Sequence, residues 1–119
     1  MKKILIAEDD TIMRSMMTDF LEHWDFEVTA LEDGDLAWEH WNNYSFDILI
    51  TDINMPRMNG IELLKRVREQ NINFPVIVMT GVPLESAKNK AIEYGATELI
   101  YKPFKMLALL NSVNNILKG

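Results

Sequence analysis

Five short apolar runs punctuate the chain: Lys3 to Ala7, Phe26 to Leu31, Ile48 to Ile50, Pro75 to Thr80 and Glu98 to Tyr101. Each is too short, and too soon followed by turn or capping residues, to be a helix, so buried strands are predicted. Between them apolar residues recur at helical spacing. Met13, Met16, Met17, Phe20, Leu21 and Trp24 mark a first helix, and Leu36, Trp38 and Trp41 a second, opened by Asp33-Gly34-Asp35. Ile61, Leu64 and Val67 share a face of a third after Asn59-Gly60, and Ala87, Ala91 and Ile92 form the thin inner face of a fourth, from about Leu84 to Tyr94. Gly95 stops that helix, and Phe104 onward is a fifth, with Met106, Leu109, Leu110, Val113, Ile116 and Leu117 inward. Strict alternation of strand and helix leaves one economical solution. It is an α/β domain over residues 1–119, a parallel sheet covered on both faces and joined by right-handed crossovers.

Composition narrows the functions such a domain can have. The absence of cysteine excludes disulfides, thiolate metal sites and thiol chemistry. A net charge of -6 argues against a nucleic-acid surface, which needs clustered Lys and Arg. The apolar run after Met1-Lys-Lys is too short for a signal peptide or a membrane span, so a cytoplasmic protein without a membrane partner is expected.

In a parallel sheet all strand tips point one way, and ligands bind in the crevice beyond them. The first strand delivers Glu8 and Asp9 there, the third Asp52, the fourth Thr80 and the fifth Lys102. Taken singly, each has an ordinary explanation: Glu8-Asp9-Asp10 as a helix-capping acidic turn, Asp52 as a turn-starting or capping residue, Thr80 as a β-branched strand end, Lys102 as a solvated amine. Five such side chains at the ends of four strands are harder to explain by capping and solvation. Carboxylates held together disfavour one another's ionisation, which implies a divalent cation. Oxygen donors without His or Cys point to a hard ion, Mg²⁺, with Mn²⁺ as the alternative. Lys102 then supplies a point charge, and Thr80 a donor, for phosphate oxygens.

On these residues the sequence resembles a response-regulator receiver domain of two-component signalling, similar to the stand-alone chemotaxis regulator. The matching segments are Lys3-Ile-Leu-Ile-Ala-Glu8-Asp9, Asp52-Ile-Asn-Met-Pro-Arg-Met-Asn-Gly60, Val78-Met-Thr80-Gly81 and Tyr101-Lys102-Pro103-Phe104, and the resemblance spans the whole chain. It implies a flavodoxin-like three-layer sandwich with strand order 2-1-3-4-5 and five helices. It implies a signalling phosphoprotein, not a conventional turnover enzyme, in which Asp52 accepts a phosphoryl group from a histidine kinase or phosphotransfer protein. By the same resemblance Glu8, Asp9, Asp52 and the backbone carbonyl of Asn54 arrange Mg²⁺. Asn54, Thr80, Gly81 and Lys102 contact the phosphoryl group, Gly81 by letting the backbone come close, and a cis Lys102-Pro103 bond is expected.

Two positions depart from the family pattern. Glu8 stands where Asp is frequent, which keeps the charge but changes how the metal is met. Leu99 occupies the place of an aromatic switch residue, with Tyr101 on the same face by strand alternation. Signal output is therefore expected through Thr80 and backbone movement of the fourth helix. The fourth helix, fifth strand and fifth helix, widened by Leu107, form the face for a second copy or an output partner. Val82, two residues after Thr80, cannot orient a water for hydrolysis of the acyl phosphate, so slower self-dephosphorylation than in a Val82→Glu variant is expected. A haloacid-dehalogenase-like phosphatase is the rival from another class, but it needs an acid two residues after the nucleophile, where this chain has Asn54. A pseudo-receiver acting only as an interaction module is a second rival, and the full set of site residues argues against it.

Overall fold

The computed structural model describes residues 1–81 and 85–118. The strands are β1 (Lys3–Ala7), β2 (Glu27–Leu31), β3 (Ile48–Asp52), β4 (Val76–Thr80) and β5 (Glu98–Tyr101). The helices are α1 (Thr11–His23), α2 (Gly34–Asn43), α3 (Gly60–Gln70), α4 (Glu85–Glu93) and α5 (Met106–Lys118). All neighbouring strands pair in parallel in the order β2-β1-β3-β4-β5, as expected.

Alternation of side chains along the strands divides the core in two. Leu5, Ala7, Leu49, Val76 and Val78 pack on one face with Ala37 of α2, Leu63, Leu64 and Val67 of α3 and Ala91 of α4. Ile4, Ile6, Ile48, Ile50, Ile77 and Met79 pack on the other with Met17 and Leu21 of α1 and Leu109, Leu110 and Val113 of α5. The registers Ile4↔Ile48 and Ile50↔Ile77 keep these sets aligned across the central strands. A one-residue slip would exchange them.

Among the described residues, side chains cap the starts of α1, α2 and α3. Asp10 accepts from Ile12 N–H at 3.1 Å, Asp33 from Leu36 N–H at 2.8 Å and Asn59 from Glu62 N–H at 2.9 Å. Of the acidic run after β1, only Asp10 is therefore the cap.

Several periodic positions differ from expectation. Met16 and Trp24 are about half exposed, because Met16 lies a ~100° step from buried Met17 and Trp24 is the C-cap. Ile92 is exposed for the same reason beside buried Ala91, and Pro75 precedes β4 instead of opening it. Buried Leu63 joins the face of α3, on which Ile61 is only half-buried. The expectations for Val82 and for Leu84 as a helix start lie outside the described residues.

Candidate functional site

The period-2 alternation that sorts the core also aims the tips. Glu8 continues the Ile4, Ile6 side of β1, Asp52 the Ile48, Ile50 side of β3, and Lys102 the Ile100 side of β5. The ladder runs on past the strand ends: Glu8 N–H donates to Leu31 O (3.0 Å), Ile53 N–H to Met79 O (3.1 Å) and Lys102 N–H to Thr80 O (2.8 Å). Backbone geometry thus fixes all three side chains on one side of the sheet. Thr80 falls in the Val76, Val78 set, on the side that α4 covers, and is buried.

Lys102 Nζ is the centre of the cluster. It donates to Glu8 Oε1 at 2.6 Å and to Asp52 Oδ2 at 3.1 Å. Asp52 Oδ1 accepts from its neighbour's Ile53 N–H at 2.8 Å, and Glu8 Oε2 from Asp10 N–H at 3.0 Å. Glu8 and Asp52 are buried, while Asp9 is exposed. Burial pushes the Glu8 carboxyl above its ordinary range, against the opposing pull of the Lys102 contact and the Asp10 N–H. For Lys102, burial alone lowers the ammonium's pKa, but the contacts with Glu8 and Asp52 together outweigh it and the net shift is upward. Lys102 is therefore a cation at neutral pH.

One oxygen each from Glu8, Asp9 and Asp52 lies within 4.8 Å of the others. Around a six-coordinate Mg²⁺, neighbouring oxygens sit about 3 Å apart and opposite ones about 4.2 Å. The all-oxygen donor set and its spacing fit a small hard cation after modest side-chain adjustment. Asn54 is exposed in the β3–α3 loop, two residues beyond Asp52. The Lys102-Pro103 bond is cis, as expected.

At Gly81, among the described residues, an added Cβ would meet Lys102 Cδ at 3.9 Å, an ordinary contact distance. Close backbone approaches occur at Gly34, where a Cβ would lie 2.1 Å from the Met58 carbonyl oxygen, and at Gly60, where it would lie 1.9 Å from the Asp52 carbonyl oxygen. The start of α3 thus packs directly against the backbone of Asp52. Leu99 is half-buried against the same core as Ala91 of α4, whereas Tyr101 is exposed.

Sequence reasoning missed two supports. Arg14 Nη1 donates to the carbonyls of Glu8 (2.8 Å) and Asp9 (3.4 Å), pinning the loop that carries both acids. Arg57, at a positive φ of 65°, forms a salt bridge with fully buried Asp33 and ties the β3–α3 loop to the start of α2. A cation one turn into α1 was a readable signal for Arg14. Nothing local in the sequence pairs Arg57 with Asp33.

The sequence model of the response regulator receiver domain matches residues 4–114. The chemotaxis protein CheY of Bacillus subtilis is 35% identical over 116 residues, covering 97% of this chain and 97% of that protein. RcaC of Microchaete diplosiphon is 30% identical over 116 residues, covering 98% of this chain but 18% of that protein. The receiver domain of a Francisella response regulator superposes with a TM-score of 0.92 at 31% identity, covering 99% of this chain and 98% of that one.

Proposed function

This chain belongs to the response regulator receiver family, and from that premise we propose that Asp52 is its phosphoacceptor, served by Lys102, Thr80 and a divalent cation. The family is a phosphorylation-based signalling family whose members work with histidine kinases or phosphotransfer proteins and use Mg²⁺ at an acidic pocket. Its domains are signalling modules, not conventional turnover enzymes. Among the described residues no helix is long and apolar enough to cross a membrane; we place the exchange in the cytoplasm.

The observation that carries the reading is Lys102 Nζ held 3.1 Å from the Oδ2 of a buried aspartate, with Asp52 Oδ1 already engaged by Ile53 N–H. Oδ2 is the oxygen presented for attack. As the Asp52 O–P bond forms, the donor's N–P bond breaks and its electron pair returns to the imidazole nitrogen. Lys102 follows the transferred group from Oδ2 to a phosphoryl oxygen, and Thr80 and the Gly81 backbone approach it from β4. A bound Mg²⁺ would be held by Glu8, Asp9, Asp52 and the backbone carbonyl of Asn54, and would supply positive charge to the phosphoryl oxygens.

The added charge of about -1.5 to -2 draws Thr80 and the loop after β4 inward. The response passes to α4, β5 and α5, where Ile92, Tyr101 and Leu107 are exposed apolar side chains for a second copy or an output partner. Intact mass after incubation with acetyl phosphate and Mg²⁺ tests the assignment. Wild type should gain one phosphoryl mass and Asp52→Asn none; no gain, or equal gain in the variant, overturns it.

A further inference from the structure

Arg57 holds a backbone conformation that glycine adopts without strain and other residues do not. Its φ is 65°, in the left-handed region. The loop around it is firmly anchored: Met55 and Met58 are buried, and a Cβ on Gly34 at the start of α2 would lie 2.1 Å from the Met58 carbonyl oxygen. The Arg57 side chain is nevertheless 64% exposed, and it lines a crevice of about 430 Å³ together with Asp9, Glu32, Asp33 and Pro56. That crevice shares Asp9 with the three-acid cluster, so it opens beside the phosphoacceptor. We propose that Arg57 is a donor-binding residue, which draws an anionic small-molecule phosphodonor of the acyl phosphate class into this crevice ahead of transfer to Asp52. This rests on the phosphoacceptor reading above.

The lining is acidic apart from Arg57. Three of its five side chains are carboxylates, and a dianionic donor entering within a Debye length of about 10 Å would be repelled by them if no cation stood there. Arg57 also has donors to spare. It gives an Nη1–H to Asp33 Oδ2, and among the described residues its side chain makes no other hydrogen bond. Four N–H groups remain, in the planar fork that matches two phosphoryl oxygens.

Asp33 fixes that fork in place. It is fully buried, its Oδ1 accepts the Leu36 N–H at 2.8 Å, and its Oδ2 accepts from Arg57. An arriving anion therefore meets a guanidinium already held against the wall, with little side-chain ordering left to do. In the transfer that follows, the Asp52 O–P bond forms as the donor's O–P bond breaks, and the electron pair leaves on the carboxylate oxygen of the acyl group. Arg57 takes no part in that step. Its effect is on how often a donor arrives, and it scales with the donor's charge.

Rates of labelling at saturating Mg²⁺ test this with two donors: acetyl phosphate, a dianion, and phosphoramidate, which carries one negative charge fewer. Removing a cation about 6 Å from a dianion's path in water corresponds to about tenfold in rate, and the logarithm halves for a monoanion. Arg57→Gln should therefore lower the second-order rate constant about tenfold with acetyl phosphate and about threefold with phosphoramidate, and Arg57→Lys should recover most of both. Because Arg57→Gln leaves Asp33 buried without its counter-charge, the comparison is repeated on an Asp33→Asn background, which keeps the capping oxygen and sheds the charge. Asp33→Asn/Arg57→Gln should show the same two losses relative to Asp33→Asn. No loss on either background overturns the proposal, and so do equal losses with the two donors, which would mark Arg57 as a support of the loop alone. A wild-type chain labelled by neither donor, or Asp52→Asn labelled as wild type is, overturns the phosphoacceptor reading instead, and this inference with it.

Discussion

Replacing Asp52 with Asn in metal-free protein should raise the thermal midpoint. The Asp52 carboxylate is buried (6% exposed), 3.1 Å from Lys102 Nζ and within 4.8 Å of oxygens of Glu8 and Asp9. At an effective dielectric of about 20, those separations give about 5 kcal/mol of attraction to Lys102 and at least about 3.5 kcal/mol of repulsion from Glu8. Exposed Asp9, screened by water, adds about 1 kcal/mol of repulsion. The pairwise balance is therefore at most about 0.5 kcal/mol favourable. Against it stands a desolvation penalty of several kcal/mol for a buried ion, of which the Ile53 N–H returns about 1.5–3 kcal/mol. Asn keeps the Oδ1 acceptor and the volume, sheds the charge, and leaves Lys102 paired with Glu8. The expected gain is about 1–2 kcal/mol, or roughly 4–8 °C in Tm. Differential scanning calorimetry in EDTA measures it. Adding Mg²⁺ at a hundredfold excess over its Kd should stabilise wild type by about 2.7 kcal/mol and the variant by much less. An Asp52→Asn midpoint at or below wild type in EDTA, together with a wild-type midpoint indifferent to Mg²⁺, would refute the claim that the three acids share one site.

Gly60→Ala should cost at least about 3 kcal/mol by denaturant unfolding, since its Cβ would lie 1.9 Å from the Asp52 carbonyl oxygen and backbone must move to admit it. Thr80→Ala should still be labelled at Asp52 while losing the beryllofluoride-induced amide shifts across 85–93; shifts equal to wild type would remove Thr80 from the relay. Leu99→Ala should leave those shifts nearly intact while costing about 1–2 kcal/mol of stability, because Leu99 is half-buried against the core. Because burial raises the Glu8 pKa above its ordinary 4.5, the folded chain holds that proton more tightly than the unfolded one. Stability from this group is thus lost as pH rises from about 4.5 through the raised value. The difference in unfolding free energy between wild type and Glu8→Gln should show that slope, and a flat difference would contradict it.

Local pattern alone was enough for much of this protein. Short apolar runs separated by helical periods specify five strands and five helices, because the two periods expose different faces and cannot be interchanged. The Asp33 and Asn59 caps are equally local, each bonding a backbone N–H three residues ahead. The convergence of Glu8, Asp52 and Lys102 follows from the same logic once the sheet is parallel, since strand tips then share one end. Strand order was legible only through resemblance to a family: no local interaction in the chain dictates that β1 lies between β2 and β3. Tertiary structure decided the rest. It assigned Asp10 to capping and Glu8 to Lys102, a distinction three adjacent acids cannot express because it depends on a partner 94 residues away. It set a steric need for glycine at Gly60, because the constraint comes from the backbone of β3 packed against the start of α3. It turned Met16, Trp24 and Ile92 outward, since which flank of a helix is covered depends on where its neighbours lie. It also joined Arg57 to Asp33 across the mouth of the site, because a salt bridge between two loops exists only once the strands beneath them have fixed their separation.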